Sequence, residues 1–252
     1  MTPILPFSAV QKTCHMMANF SNYAYKDKEE AEPLFESRGY SNYEFVDKKG
    51  SQAHIVWNDE YIVLVFRGTQ VTEIADIKAD FNAWPDAGQS GGWVHNGFQN
   101  ALDAIWAPIL DILVDHKDKK IMICGHSLGA GMATIAASRL KNDNPMLFTF
   151  GSPRVGNKPF IDSFKDIIHY RFVNNNDIVT AVPMAFTGYR HHGQCMYIDY
   201  HGQIQQFNLW QRLKDKFRGR LRAWQKKQAF DGLHDHSCLY YCLYTSENKN
   251  GH

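Results

Sequence analysis

A chain of 252 residues that is 44% hydrophobic and 13% aromatic carries enough apolar surface for a sizeable core, which excludes disorder and fibrous repeats. Its formal charge of +1 supplies no global attraction to nucleic acid, so no nucleic-acid partner is expected. Five scattered cysteines, Cys14, Cys124, Cys195, Cys238 and Cys242, have no metal-ligand spacing, and their odd number suits a reducing compartment better than a disulfide framework. The stretch Met1 to Phe20 has neither a charged start nor an unbroken apolar run, and the longest apolar run, Tyr61 to Phe66, is too short to span a bilayer. The expectation is a cytoplasmic protein, or one exported without a cleavable signal peptide, with no transmembrane segment.

Apolar positions recur at helical spacing over residues 8–25, with Ser8 as a candidate N-cap, and a short helix is expected over 27–37. The period then changes to that of strands. Runs at 43–46, 53–57 and 61–66, joined by short polar turns, read as an antiparallel meander. In the stretch 71–81, Val71, Ile74, Ile77 and Phe81 share a helical face opposite Glu73, Asp76 and Asp80. A Gly- and Pro-bearing loop, 84–92, precedes a helix that reaches His116, with a kink or a fresh start at Pro108. From residue 98 to 173 the order is helix and strand in alternation, which predicts parallel strands with crossover helices. Late strands are expected at 194–200 and 204–207. No repeat or long linker divides the chain, so one domain, 1–252, is expected.

Within that alternation, the apolar run Ile121 to Cys124 ends in Gly125-His126-Ser127-Leu128-Gly129, and small residues follow in a helical pattern. Strand, tight turn and helix with serine at the tip form a nucleophile elbow, whose glycines leave room for neighbouring strand and helix. A serine nucleophile needs a base, and the base needs a carboxylate to fix its tautomer. In this architecture the acid follows the serine and the histidine comes last. Asp177 stands directly after a predicted strand, at the carboxyl edge where open α/β sheets place their sites. Asp162, in a helix, and Asp199, in a late strand, fit less well. Asp231 to Ser237 is a polar loop ahead of an apolar segment, and on these grounds His234 and His236 are equal candidates for the base. The backbone N–H of Leu128 is one expected oxyanion donor, and Thr69, after the strand 61–66, is the candidate for the other. No metal or other cofactor is expected: a His-x-His pair lacks a third ligand nearby.

Five ordered blocks, Val65-Phe66-Arg67-Gly68-Thr69, Val94-His95-Asn96-Gly97-Phe98, Gly125 to Ala130, Thr149 to Gly156 and Asn174 to Val179, resemble the signature blocks of class 3 lipases. That resemblance implies an α/β-hydrolase fold: a mostly parallel central sheet with helices on both faces and antiparallel strands at the N-terminal edge. It also implies Ser127, Asp177 and His236 as catalytic triad, His236 being preferred to His234 because Asp235 precedes it and an aromatic follows. Thr69 and Leu128 would form the oxyanion hole, and 70–81 would fall where these lipases carry a lid.

The stretch 209–230 departs from the family. It holds eight basic residues against Asp215 alone, with Trp210, Leu213, Phe217, Leu221 and Trp224 at helical spacing. One reading is an interfacial helix meeting a lipid surface through Trp210, Phe217 and Trp224 and its basic face; the other packs the apolar stripe on the domain. The expected activity is hydrolysis of carboxylic esters of lipids through an acyl-enzyme. Its rivals are a phospholipase A-type enzyme at anionic membranes and a catalytically silent lipid-binding module.

Overall fold

Strands β1 (Asn42–Lys48), β2 (Ser51–Trp57) and β3 (Tyr61–Phe66) form the expected antiparallel meander. Lys49 and Gly50 link the first two with φ of 53° and 77°, the left-handed pair that a two-residue hairpin requires. The computed structural model describes residues 7–68, 84–208, 210–212, 214–216 and 235–246. The segment 71–81, expected to be helical, lies outside them.

Beyond β3 the sheet becomes parallel. β6 (Lys120–His126), β7 (Met146–Phe150), β8 (His169–Asn174) and β9 (Gln194–Ile198) follow in that order, and β10 (Ile204–Gln205) closes the far edge antiparallel. Parallel neighbours need crossovers, and helices supply the first three: α3 (Asn96–Asp115) before β6, α4 (Leu128–Arg139) before β7 and α5 (Lys158–Asp162) before β8. Side chains alternate across the strands, so each strand feeds two cores. Ile62, Leu64, Phe66, Ile123 and Leu147 meet α3 and α4 on one face. Val63, Val65, Met122, Cys124, Phe148 and Phe150 meet α1 (Phe7–Tyr23), α2 (Lys28–Glu36) and α6 (Cys238–Thr245) on the other. Burial on both faces explains why these strands read as apolar runs rather than as alternation.

The structure corrects several local expectations. Phe7 is already helical in α1, so Ser8 sits inside the helix and not at its cap. The loop 84–92 contains a strand: β4 (Pro85–Ala87) pairs with β5 (Trp93–His95), and Pro85 takes the first position, where a missing N–H is tolerated. α3 runs through Pro108 as one helix of 20 residues; the carbonyl freed at Ala104 lies on a partly exposed face that water reaches. Asp199 stands just past β9, where its Oδ1 accepts the N–H groups of His201 and Gln203 and closes a turn. All five cysteines are free thiols.

Candidate active site

β6 ends at His126 and α4 begins at Leu128, which leaves Ser127 alone to reverse the chain. Its φ of 58° and ψ of −126° are a strained conformation for a residue with a β-carbon, costing about 1–3 kcal/mol. The flanking glycines make the turn feasible. A β-carbon on Gly125 would stand 2.5 Å from the Gly129 carbonyl, and one on Gly129 would overlap the Phe66 carbonyl oxygen. The backbone is pinned on both sides: Ser127 N–H donates to Phe150 O at 3.1 Å, and its carbonyl accepts from Ala130 N–H at 3.0 Å. Leu128, as the first residue of α4, has no acceptor for its N–H within the helix, and the helix dipole gives that end partial positive charge.

Three residues after β8, Asp177 is completely buried. Its Oδ1 accepts Val179 N–H at 2.9 Å, while Oδ2 accepts His236 Nδ1–H at 2.8 Å and the Tyr241 hydroxyl at 2.6 Å. Burial alone would raise this carboxyl; the neighbouring His236 and the hydrogen bonds from His236 and Tyr241 outweigh it and hold the carboxyl below its ordinary value. His236 is equally buried, and its Nε2 has no hydrogen-bond partner among the described residues. No hydrogen bond joins that nitrogen to Ser127 Oγ; in the absence of substrate such contacts are commonly open. Gly151, with φ of 59°, is the residue that lets Asp177 and His236 meet: a β-carbon there would lie 2.8 Å from the His236 ring and 2.9 Å from Asp177 Oδ2.

The loop bearing His236 is tied to the sheet at two points. Asn174 Nδ2 donates to Asp235 O at 2.8 Å, and His126 Nε2–H donates to His236 O at 2.6 Å. A carbonyl can only accept, so His126 carries its proton on Nε2, and its Nδ1 accepts from the Tyr25 hydroxyl at 2.7 Å. Burial first, then His236, pushes the His126 imidazole down to about 3, so it is neutral at ordinary pH.

The sequence reading missed Tyr241, Asn174, His126 and Tyr25 as parts of this constellation. Tyr241 had a local signal, an aromatic shortly after His236 on a helix. Tyr25 and His126 are 101 residues apart, and nothing local links them. Thr69, His234, the segment 70–81, Phe217 and Trp224 lie outside the described residues. Gly68 is described: a β-carbon there would come within 3.3 Å of Ser127 Cβ, so the chain passes against the serine one residue before Thr69. Of the other acids, Asp162 pairs with Lys158 on the surface. Of the other histidines, His191 bonds Thr180 O, and His192 bonds His169. Among the described residues no His, Cys, Asp or Glu group is arranged to hold a metal ion, and no helix is long and apolar enough to cross a membrane.

The family model for class 3 lipases matches residues 63–187, which include the Ser127 elbow and Asp177. Over that stretch the chain matches the class 3 lipase family. It is 34% identical to the lipase of Rhizopus oryzae over 147 residues, 52% of this chain and 37% of that protein. It is 30% identical to Toxin TseL of Vibrio cholerae over 184 residues, 56% of this chain and 29% of the toxin. The chain thus spans about a third of the length of these curated relatives. The triacylglyceride lipase of Rhizomucor miehei superposes with a TM-score of 0.62 at 24% identity, covering 77% of this chain and 82% of that one. A triacylglycerol lipase described as having a serine protease triad as its catalytic centre gives a TM-score of 0.63 at the same identity and coverage. These structural likenesses carry the α/β-hydrolase fold, with its mostly parallel sheet, helices on both faces and antiparallel N-terminal edge.

Proposed function

We propose that this chain forms one α/β-hydrolase domain that hydrolyses carboxylic esters of lipids, acylglycerols foremost, with Ser127, His236 and Asp177 as its triad. The observation that carries the reading is the buried Asp177–His236 pair at 2.8 Å, with His236 Nε2 unpartnered among the described residues, beside a serine held at φ of 58°. His236 Nε2 takes the Ser127 hydroxyl proton as Oγ bonds to the ester carbonyl carbon. The imidazolium is stabilised by Asp177, which accepts from Nδ1 throughout. The carbonyl oxygen, now an alkoxide, sits at the N-terminus of α4, where Leu128 N–H donates; Thr69, one residue past Gly68, supplies the second donor. As the carbonyl re-forms, the C–O bond to the alcohol breaks and His236 returns its proton to the departing oxygen. A water then gives its proton to His236 and attacks the acyl-enzyme, and collapse releases the fatty acid and restores Ser127.

Two features beyond the triad belong to the proposal. The amphipathic segment 70–81 acts as a lid over the site. The chain meets lipid surfaces peripherally through the 209–230 segment, including Phe217 and Trp224; in support, Trp210 is 74% exposed, and Arg212, Lys214 and Lys216 follow it in the chain. The relatives named as lipases support the ester-hydrolysing reading over a silent lipid-binding module.

The test is labelling and turnover. Wild-type protein is expected to hydrolyse p-nitrophenyl butyrate and to be labelled once by a serine-reactive phosphonate, and Ser127→Ala to lose both. Near wild-type turnover by Ser127→Ala would falsify the mechanism.

A further inference from the structure

His126 is the residue before Ser127, and its ring is buried against that of His236, the centroids 4.4 Å apart. Its Nε2–H donates to the His236 carbonyl at 2.6 Å, and its Nδ1 accepts the Tyr25 hydroxyl at 2.7 Å. Both ring nitrogens are engaged, one by the backbone of the proposed base and the other by the segment that follows α1.

The end of α1 puts Tyr25 in reach. The helix finishes at Tyr23, and Tyr25 N–H bonds back to Asn22 O at 3.2 Å in the turn that follows. The phenol then lies edge-on to His126, with centroids 5.8 Å apart, and its hydroxyl abuts the Gly68 backbone, where a β-carbon would overlap it. Burial first, then Cys238, raises the phenol well above its ordinary value, so the hydroxyl keeps its proton and has one to donate.

The order of donors is directional. With the proton on Nδ1 instead, the Nε2 lone pair would face the His236 carbonyl oxygen, and an attractive contact would become a repulsive one. Tyr25 excludes that tautomer, because Nδ1 cannot carry a proton and accept one at the same time. Asp177 fixes the His236 ring at Nδ1, and His126 fixes the same residue at its carbonyl. Two points of attachment hold a ring that one would leave free to pivot. Misplacing a reacting group by about 1 Å can cost about a hundredfold in rate.

We propose that Tyr25 and His126 are positioning residues for the base: two hydrogen bonds in series, from the turn after α1 to the His236 backbone, fix where His236 Nε2 meets Ser127 Oγ. The inference rests on the Ser127–His236–Asp177 reading and adds to it two residues that act through His236.

A pair that merely filled the core would change stability and leave the kinetics of the folded protein unaltered. Tyr25→Phe, His126→Gln and His126→Leu are therefore compared with wild type by thermal melts, by p-nitrophenyl butyrate kinetics and by NMR of protein carrying isotope-labelled histidine. Glutamine keeps an N–H near the place of Nε2, and leucine does not. Expected are a kcat about tenfold lower in Tyr25→Phe and about a hundredfold lower in His126→Leu, with KM within about twofold of wild type and most of the loss restored in His126→Gln. Wild-type His126 should show the Nε2–H tautomer, and Tyr25→Phe a mixture of the two. Wild-type kcat in folded Tyr25→Phe and His126→Leu, or an equal loss in His126→Gln and His126→Leu, overturns the positioning role. An Nδ1–H tautomer of His126 in the wild type overturns it without any variant. The tautomer is read without turnover, so absence of wild-type hydrolysis and of Ser127 labelling would count against the hydrolase reading and stay distinguishable from failure of this pair.

Discussion

Tyr241→Phe removes one oxygen atom from the buried centre of the proposed site and leaves the ring that packs near Phe150 and His126. Two hydrogen bonds go with it: the 2.6 Å donation to Asp177 Oδ2 and the 3.0 Å acceptance from Asn174 N–H. A hydrogen bond to a charged acceptor contributes about 1.5–3 kcal/mol, and a buried N–H left without an acceptor costs about 1 kcal/mol more. The expected loss of stability is therefore about 3 kcal/mol, or about 6–12 °C in Tm for a chain of this size. Asp177 is held below its ordinary value in the folded protein, so its ionisation stabilises the fold above that value and the contribution is lost as pH falls through the folded value. Without the phenol the folded value rises, and the loss begins at higher pH. Urea unfolding of wild type and variant between pH 7 and pH 4, alongside kcat/KM profiles for a p-nitrophenyl ester, measures both effects. The acid limb of the variant should move to higher pH. Equal stability and superimposable profiles would refute the role assigned to this hydroxyl.

Acid should unfold the protein early. Burial lowers His54, His95 and His192 to about 4 and His126 to about 3, whereas the unfolded chain takes up these protons near 6.5. Stability is thus present above pH 6.5 and is lost as pH falls below it; near pH 5.5 the four together cost about 5 kcal/mol, a large part of a typical folding free energy, and a flat stability curve from pH 7 to 5 would contradict this. Gly129→Ala drives a β-carbon into the Phe66 carbonyl and should cost about 3 kcal/mol or abolish soluble expression, read by thermal melts; a wild-type Tm would show that the elbow has slack. Trp210→Ser should weaken binding to anionic vesicles about tenfold without changing hydrolysis of a soluble ester, and binding of both proteins should fall with salt. Equal vesicle affinity would remove Trp210 from the lipid contact.

What could be read from the chain depended on the range of the interaction concerned. The meander, the parallel alternation and the elbow are written in short stretches: polar turns between apolar runs, small residues after Ser127, glycines two positions either side of it. β4 was lost because three residues beginning with proline have no period to detect. Asp177 could be chosen by its place after a strand, whereas the choice between His234 and His236 needed the family pattern, since nothing local distinguishes two histidines in one loop. The supporting contacts were harder still. Tyr25 with His126 and Tyr241 with Asp177 are separated by 101 and 64 residues, and their hydroxyls meet their partners only once α1 and α6 have docked on the same face of the sheet.

Those contacts bear on which of two adjacent imidazoles would carry the proton. His126 and His236 have ring centroids 4.4 Å apart, and both are buried. His126 has a carbonyl on one nitrogen and a phenol hydrogen on the other; a second proton would require Tyr25 to turn its O–H away, and no described carboxylate bonds the ring to compensate. His236 has a carboxylate on Nδ1 and no partner on Nε2 among the described residues, so a proton arriving there meets an open nitrogen and a negative charge directly behind it. Two like charges at that separation in a dry interior would repel strongly, which is why His236 itself helps keep His126 neutral. In the proposed mechanism the neutral ring then serves as a fixed donor that grips the His236 backbone through every change of charge on the His236 ring. Replacing Tyr25 by phenylalanine would remove the lock on the His126 tautomer without touching Ser127, Asp177 or His236.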